Sequence, residues 1–160
     1  MTLTIRPAAP GDAATVLRFI RALAAFEREP DAVVATEAMI DMALFGPAPA
    51  AEAVIAEQGG DAVGLAAWFH TFSTWTGRRG MWLEDLYVTP EARGSGIGRA
   101  LLRHLAGIAL DRECARFEWS VLDWNEAAKA VYRAAGAEAM VEWTIQRVSG
   151  DALTALAGRG

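Results

Sequence analysis

The sequence predicts an α/β fold, a mixed and partly parallel central sheet flanked by helices on both faces. Three observations predict it. Segments with a two-residue apolar period and segments with a helical period follow one another along the chain. Two strand-like runs flank the turn-forming tetrapeptide Gln58-Gly59-Gly60-Asp61. The second half then alternates strand, helix, strand, helix, strand. Such crossover connections require at least part of the sheet to be parallel, and helices with one apolar stripe cover its faces.

Taken in order, Thr2 to Arg6 alternates as a strand and stops at Pro7. Asp12 is placed to cap a helix whose apolar face is Val16, Leu17, Ile20, Leu23 and Ala24. Thr36 is a second cap, for a short helix through Met39, Ile40 and Ala43 that ends at Gly46-Pro47. Glu52 to Glu57 and Ala62 to Phe69 form the hairpin, and Met81 to Val88 is a strand ended by Thr89-Pro90. Gly98 to Asp111 carries Leu101, Leu102, Leu105, Ile108 and Ala109 as an amphipathic helix. Arg116 to Leu122 reads as a strand. Asn125 then caps a helix to Ala135, ended by Gly136, with Glu126 in its first turn and Arg133 in its last. Ala139 to Val148 is expected to close the sheet as a strand, followed by a short helix from Asp151 to Leu156.

A chain of 160 residues suits one domain, residues 1–160, with a substantial core, and 53% hydrophobic against 22% charged residues is a globular balance. No apolar run has the length of a membrane span, and the N-terminal residues lack the basic-then-apolar order of a signal peptide. Cys114 is the single cysteine, which excludes an internal disulfide and fits a reducing cytoplasm. His70, His104 and Cys114 lack the paired spacing of a structural metal site, so no metal is expected. A net charge of −5 disfavours nucleic acid as a partner and keeps a small protein soluble.

The stretch Leu83-Glu84-Asp85-Leu86-Tyr87-Val88-Thr89-Pro90-Glu91-Ala92-Arg93-Gly94-Ser95-Gly96-Ile97-Gly98-Arg99 carries the chemistry. A strand stops, a short turn follows, and three glycines at alternate positions open a helix. Glycine permits backbone conformations barred to other residues and close approach by a ligand. The unpaired N–H groups of the helix start then favour an anion through hydrogen bonds and the dipole together. A nucleoside-triphosphate loop needs Gly-Lys-Ser/Thr, and Gly98 is followed by Arg99-Ala100. The dinucleotide fingerprint needs a sixth-position glycine, and counting from Gly94 that position is Arg99. The cradle is for a different diphosphate.

Arg93-Gly94-Ser95-Gly96-Ile97-Gly98 resembles the Arg/Gln-x-x-Gly-x-Gly/Ala signature by which GNAT acetyltransferases hold the pyrophosphate of acetyl-coenzyme A. The resemblance continues at Asn125-Glu126-Ala127-Ala128 and Tyr132, then Gly136, which match the family's second coenzyme-binding block. It implies a GNAT-like fold, acetyl-CoA as cosubstrate, and coenzyme contacts from Arg93 to Arg99 and from Asn125 to Ala128. A narrower resemblance to the spermidine/spermine (diamine) acetyltransferases and their bacterial relatives rests on Ile5-Arg6-Pro7-Ala8, Leu23-Ala24-Ala25-Phe26-Glu27, Leu83-Glu84-Asp85 and Trp124-Asn125-Glu126. It implies that Tyr132 is the proton donor, that Glu84 contacts substrate and relays its proton, and that Phe26 and Glu27 lie near the amine. It also implies a homodimer in which each cleft is built with help from the neighbouring subunit. Ser73 stands where that branch has an acidic residue, shortly before Trp75.

The chemistry explains these residue types. An alkyl amine, with a pKa of roughly 10.4, is protonated at neutral pH and must lose a proton before it attacks a thioester. Glu84 is the candidate base, directly or through water. Asp85 lies on the opposite face in a regular strand, an arrangement a bulge would change. Attack builds charge on the carbonyl oxygen, which a backbone N–H at Leu86 would meet, and Leu86, Tyr87 and Val88 are assigned to the coenzyme. Tyr132, two helical turns beyond Asn125, faces the same ligand. Most of the six tryptophans are expected in the core or at a subunit interface, with Trp75 and Trp143 beside the substrate by cation–π contact. His70 is expected to be a hydrogen-bonded structural residue. The leading expectation is acetyl transfer to a small primary amine, a polyamine or a lysine-like amino acid. Transfer to an aminoglycoside-type or protein amine, or an acyl-coenzyme A sensor without turnover, are the alternatives.

Overall fold

The computed structural model describes residues 1–159. The chain falls into two compact units, Met1–Glu126 and Ala127–Gly160. In the first, β1 (Leu3–Pro7) leads to α1 (Ala13–Phe26) and α2 (Glu37–Phe45), then β2 (Glu52–Gln58), β3 (Asp61–Ser73), β4 (Arg78–Val88), α3 (Ile97–Asp111) and β5 (Phe117–Glu118). α4 (Glu126–Ala134) begins at the boundary, and α5 (Gly150–Leu156) belongs to the second unit.

The five strands stand in chain order, β1-β2-β3-β4-β5. The first three pairings are antiparallel and β4–β5 is parallel, reached through the α3 crossover. The sheet is therefore mixed and partly parallel, as the element order required. Strand alternation supplies two apolar faces. Ala53, Ile55, Leu65, Ala67 and Tyr87 pack with Val16 and Phe19 of α1, and Ile40 and Leu44 of α2 close over them. The intervening Val54, Ala56, Ala66 and Trp68 are buried on the other face. There α3 contributes Leu101, Leu102 and Leu105. Gly64 sets how closely α3 approaches: a Cβ there would lie 3.3 Å from Leu101 Cδ1 and 3.1 Å from the Tyr87 carbonyl.

Local signals resolve as follows. Thr36 caps α2, accepting from the Met39 N–H at 3.3 Å. Asp12 occupies the N-cap position of α1, but its carboxylate turns away from the helix to accept from Arg6 Nη1 at 2.7 Å and from the Ala9 N–H at 2.8 Å. A charged partner outcompetes the helix amides. α3 starts at Ile97, one residue before the expected Gly98. α4 ends as its Gly136 implied: with φ 90° at Gly136, the Ala137 N–H reaches the Tyr132 carbonyl and the Gly136 N–H that of Arg133. α1 and α3 end in the same pattern around non-glycine residues, Arg28 (φ 67°) and Glu113 (φ 57°).

Two expected strands differ. Arg116–Leu122 contributes only Phe117 and Glu118, paired with Met81 and Trp82. Ala139–Val148 forms no strand; Val141, Trp143 and Ile145 alternate as a strand would, and all three are exposed. Alternation records which side chains share a face, whereas a strand also needs a neighbour's N–H and C=O groups. Among the described residues, none pairs with this segment. Of the six tryptophans only Trp68 is fully buried within the chain.

Candidate active site

β4 carries a one-residue bulge that decides how its carboxylates are presented. Leu83 pairs with Trp68 and Asp85 with Ala67, so Glu84 is the extra residue. Directly paired side chains share a face. Leu83 therefore lies on the α3 face with Trp68, and Asp85, two residues on, lies on the α1 face with Ala67. A regular strand would put both on one side. The bulge brings Asp85 toward Glu27, the residue that ends α1. Burial, then Glu84 and Glu27, push the Asp85 carboxyl up to about 6. Burial also raises Glu27. Glu84 is exposed, and its Oε2 accepts from Trp82 Nε1 at 3.0 Å.

Beyond the bulge one edge of β4 is open. The Thr89 N–H donates to the Val63 carbonyl at 2.9 Å. Backbone groups alternate sides along a strand, so those of Leu86 and Val88 face the other edge. The β5 ladder stops at Trp82 and Glu118, and no described residue continues it. On that edge the Val88 carbonyl accepts from Arg93 Nε at 3.0 Å.

The glycine loop follows at once. Gly94 and Gly96 have φ of 78° and 86°, and a Cβ on either would enter open space with nothing within 4 Å. These are left-handed positions that favour glycine, beside room for a ligand. The first α3 hydrogen bond runs from the Ala100 N–H to the Gly96 carbonyl, so the N–H groups of Ile97, Gly98 and Arg99 precede the ladder. Ser95 Oγ donates to the Ala92 carbonyl at 2.6 Å and braces the turn. Turn and helix start together present the donors and positive dipole end that a diphosphate requires.

Residues 18–137 match the Acetyltransferase (GNAT) family. The chain belongs to the GNAT acetyltransferase family. It is 38% identical, over 99% of both chains, to a thialysine N-epsilon-acetyltransferase of Sus scrofa. It is 37% identical to a human spermidine/spermine N(1)-acetyltransferase-like protein, over 83% of this chain and 20% of that one. In structure it is similar to an integron cassette protein from the V. cholerae mobile metagenome, with a TM-score of 0.81, 27% identity and 98% of each chain covered. As a GNAT enzyme it is an acyltransferase, of a family that uses acetyl-CoA. The resemblance to the diamine branch is upheld by these relatives.

Among the positions singled out from sequence, the fold gathers Phe26, Glu27, Asp85, Tyr87 and Arg93 where α1 ends beside β4. Arg93 lies over the rings of Phe26, 4.9 Å from its centroid, and Tyr87, at 5.7 Å. Trp124 stands 6.0 Å from Phe26. Trp75 is at the tip of the β3–β4 hairpin, the end of β4 opposite Val88, and is 82% exposed. Tyr132 lies on α4, and Trp143 in the irregular stretch that follows; both belong to the second unit. The bulge that would change the faces of Glu84 and Asp85 is present in the register with β3, whereas nothing in the sequence signals the Arg93–Phe26–Trp124 contacts. A cavity of about 650 Å³ is elsewhere, between the ends of β2 and β3 and the C-terminal half of α3, lined by Phe45, Trp68, His70 and Arg112 among others. His70 there is structural: Nδ1 meets the Gly80 carbonyl at 3.0 Å and Nε2 meets Arg112 at 2.9 Å. This cavity does not touch the donors and carboxylates around β4.

Proposed function

We propose that this GNAT enzyme transfers the acetyl group of acetyl-CoA to a primary amine of a small cationic molecule, a lysine-like amino acid or a polyamine, by direct attack on the thioester. The observation that carries the reading is the half-buried Asp85 with Glu27 and Glu84, beside the open edge of β4 and the glycine loop. An ammonium group is what such a set of carboxylates attracts, and the thialysine acetyltransferase relatives support a lysine-like substrate.

In this reading Arg93, Gly94, Ser95, Gly96, Ile97, Gly98 and Arg99 hold the diphosphate through backbone N–H groups and the Arg93 side chain. Leu86, Tyr87 and Val88 offer the strand edge to the coenzyme, and Asn125, Glu126, Ala127 and Ala128 form the second coenzyme-facing segment. Acetyl-CoA, when bound, supplies an activated thioester that carries its own leaving group. Asp85 and Glu27 hold the ammonium; Phe26, Trp75 and Trp143 are the aromatic side chains assigned to the amine. Glu84, exposed to water, takes the amine's proton directly or through a water molecule. The Leu86 N–H meets the oxygen on which charge develops, and the Tyr132 hydroxyl protonates the departing sulfur. We assign the working form as a homodimer, which the exposed Val141, Trp143 and Ile145 support. Cys114 as the single cysteine supports a reducing cytoplasm.

Mass spectrometry of lysine analogues, diamines, polyamines, an aminoglycoside and a peptide incubated with acetyl-CoA tests the assignment. Acetylation of the small linear amines is expected. Modification of the aminoglycoside or peptide alone, or of nothing, overturns it. A 17 kDa monomer by light scattering at micromolar concentration overturns the homodimer.

A further inference from the structure

Phe26 occupies an unexpected place for an amine-pocket residue. Its ring is in contact with both the Arg93 guanidinium, 4.9 Å from its centroid, and the Trp124 ring, 6.0 Å away and tilted by 46°. A second cation, Arg28, lies over the Trp124 ring, 4.2 Å from its centroid. Four side chains thus form one stack, Arg93–Phe26–Trp124–Arg28. Two of its members come from the segments read as coenzyme-facing, Arg93 at the start of the glycine loop and Trp124 just before Asn125. Its two other members come from the end of α1.

The local backbone is shaped for this contact. α1 closes with the Glu29 N–H on the Ala24 carbonyl and the Arg28 N–H on that of Ala25, the turn in which glycine normally supplies the left-handed residue. Here Arg28 takes that conformation, with φ 67°, which is sterically unfavourable for a residue with a Cβ. A glycine would fit the turn with less strain and would leave Trp124 without its cation.

Arg93 is held on three sides: the Phe26 ring, the Tyr87 ring at 5.7 Å, and the Val88 carbonyl that accepts from Nε at 3.0 Å. Among the described residues its Nη groups have no acceptor, so those donors remain available beside Gly94. A long side chain otherwise loses rotamer freedom on meeting an anion. Stacking on two rings limits that freedom beforehand.

We infer that Phe26 is a positioning residue for the coenzyme: its ring holds the Arg93 guanidinium ready for the diphosphate and, through Trp124, ties the two coenzyme-facing segments to the end of α1. This rests on the reading of residues 93–99 as the diphosphate loop. It moves Phe26 from the amine side of the site to the coenzyme side, and leaves Glu27, its neighbour on α1, facing Asp85. Ordering of the loop by the coenzyme then steadies the α1 end that carries Glu27.

Calorimetry with coenzyme A itself, which lacks the acetyl group and needs no turnover, provides the test. Phe26→Leu should weaken binding three- to tenfold, about 0.7–1.4 kcal/mol, and Phe26→Tyr, which keeps the ring, should stay within twofold of the parent. Phe26 is 42% exposed, so the Leu variant is expected to fold; Phe26→Met replaces it if its thermal melt is lost. In an Arg93→Ala background the same change should have no further effect. In steady state, the Michaelis constant for acetyl-CoA should rise while that for the amine, at saturating acetyl-CoA, moves less than twofold. Unchanged coenzyme affinity in Phe26→Leu with a clear loss in Arg93→Ala overturns the positioning role and keeps the loop assignment. An equal loss in both backgrounds also overturns it, as does a rise confined to the amine's Michaelis constant. Full coenzyme affinity in Arg93→Ala removes the loop assignment itself.

Discussion

The two ends of α3 treat polar groups in opposite ways. At its N-terminus, Gly94 and Gly96 hold left-handed conformations beside open space, three amides precede the helical ladder, and on the neighbouring strand Asp85 is pushed up to about 6. At its C-terminus, Arg112 makes a two-pronged pair with Glu52 and meets His70, whose other nitrogen is taken by the Gly80 carbonyl. Arg112 holds Glu52 below the usual carboxylate range, and Glu52 raises Arg112. At one end three amides have no acceptor within the helix, whereas at the other the charged groups are paired with one another. The paired end also borders a cavity of about 650 Å³.

Substitutions at the two ends should differ in kind. The largest effect is expected at Tyr132, the proposed acid. Tyr132→Phe removes only the hydroxyl, so turnover should fall between about ten- and a hundredfold while coenzyme affinity holds. Steady-state kinetics beside a thermal melt separates this from a packing defect, which would lower the melting temperature and spare turnover. Gly96→Val comes next, putting a branched side chain at φ 86° into the space assigned to the diphosphate. Coenzyme binding should weaken at least tenfold, about 1.4 kcal/mol, and calorimetry showing parental affinity in a folded variant would break the comparison at its open end.

Asp85→Asn should trade activity for stability. The folded carboxyl titrates near 6 against an ordinary 3.8, so between those values the folded chain binds more protons than the unfolded one. Its burden on stability is absent below about pH 4, grows to about pH 6 and is constant above. The Asn variant should accordingly be more stable at pH 8 by on the order of 1–2 kcal/mol, lose that advantage below pH 4, and show a raised Michaelis constant for the amine. Denaturant melts across pH check the sign. Glu84→Gln should lower activity several-fold at pH 7 and less at pH 10, where free amine is abundant. A loss equal at every pH would leave Glu84 a binding role only. At the paired end, Arg112→Met should be the mildest change, costing under about 1 kcal/mol because both side chains are partly exposed. Its kcat/KM per folded molecule should match the parent's, and a large activity loss there would erase the distinction between the ends.

The sequence by itself determined what depends on neighbours along the chain. Thr36 as a cap, the Gln58–Asp61 turn, the amphipathic faces of α1 and α3, and the left-handed Gly96 and Gly136 follow from local sterics and hydrogen bonding, and all are legible in residue order. So were the turn conformations of the glycine loop and the helix start that follows it. What needs a partner distant in sequence was not legible. Asp12 turns to Arg6 instead of its helix, only Phe117 and Glu118 of the expected strand find β4, and the alternating 139–148 segment finds no ladder among the described residues. The bulge that exchanges Glu84 for Asp85 on the α1 face exists only as a register with β3, and the Arg93–Phe26–Trp124–Arg28 stack joins residues nearly a hundred positions apart. Local energies are written residue by residue; pairings are decided by which surfaces the folded chain brings within reach.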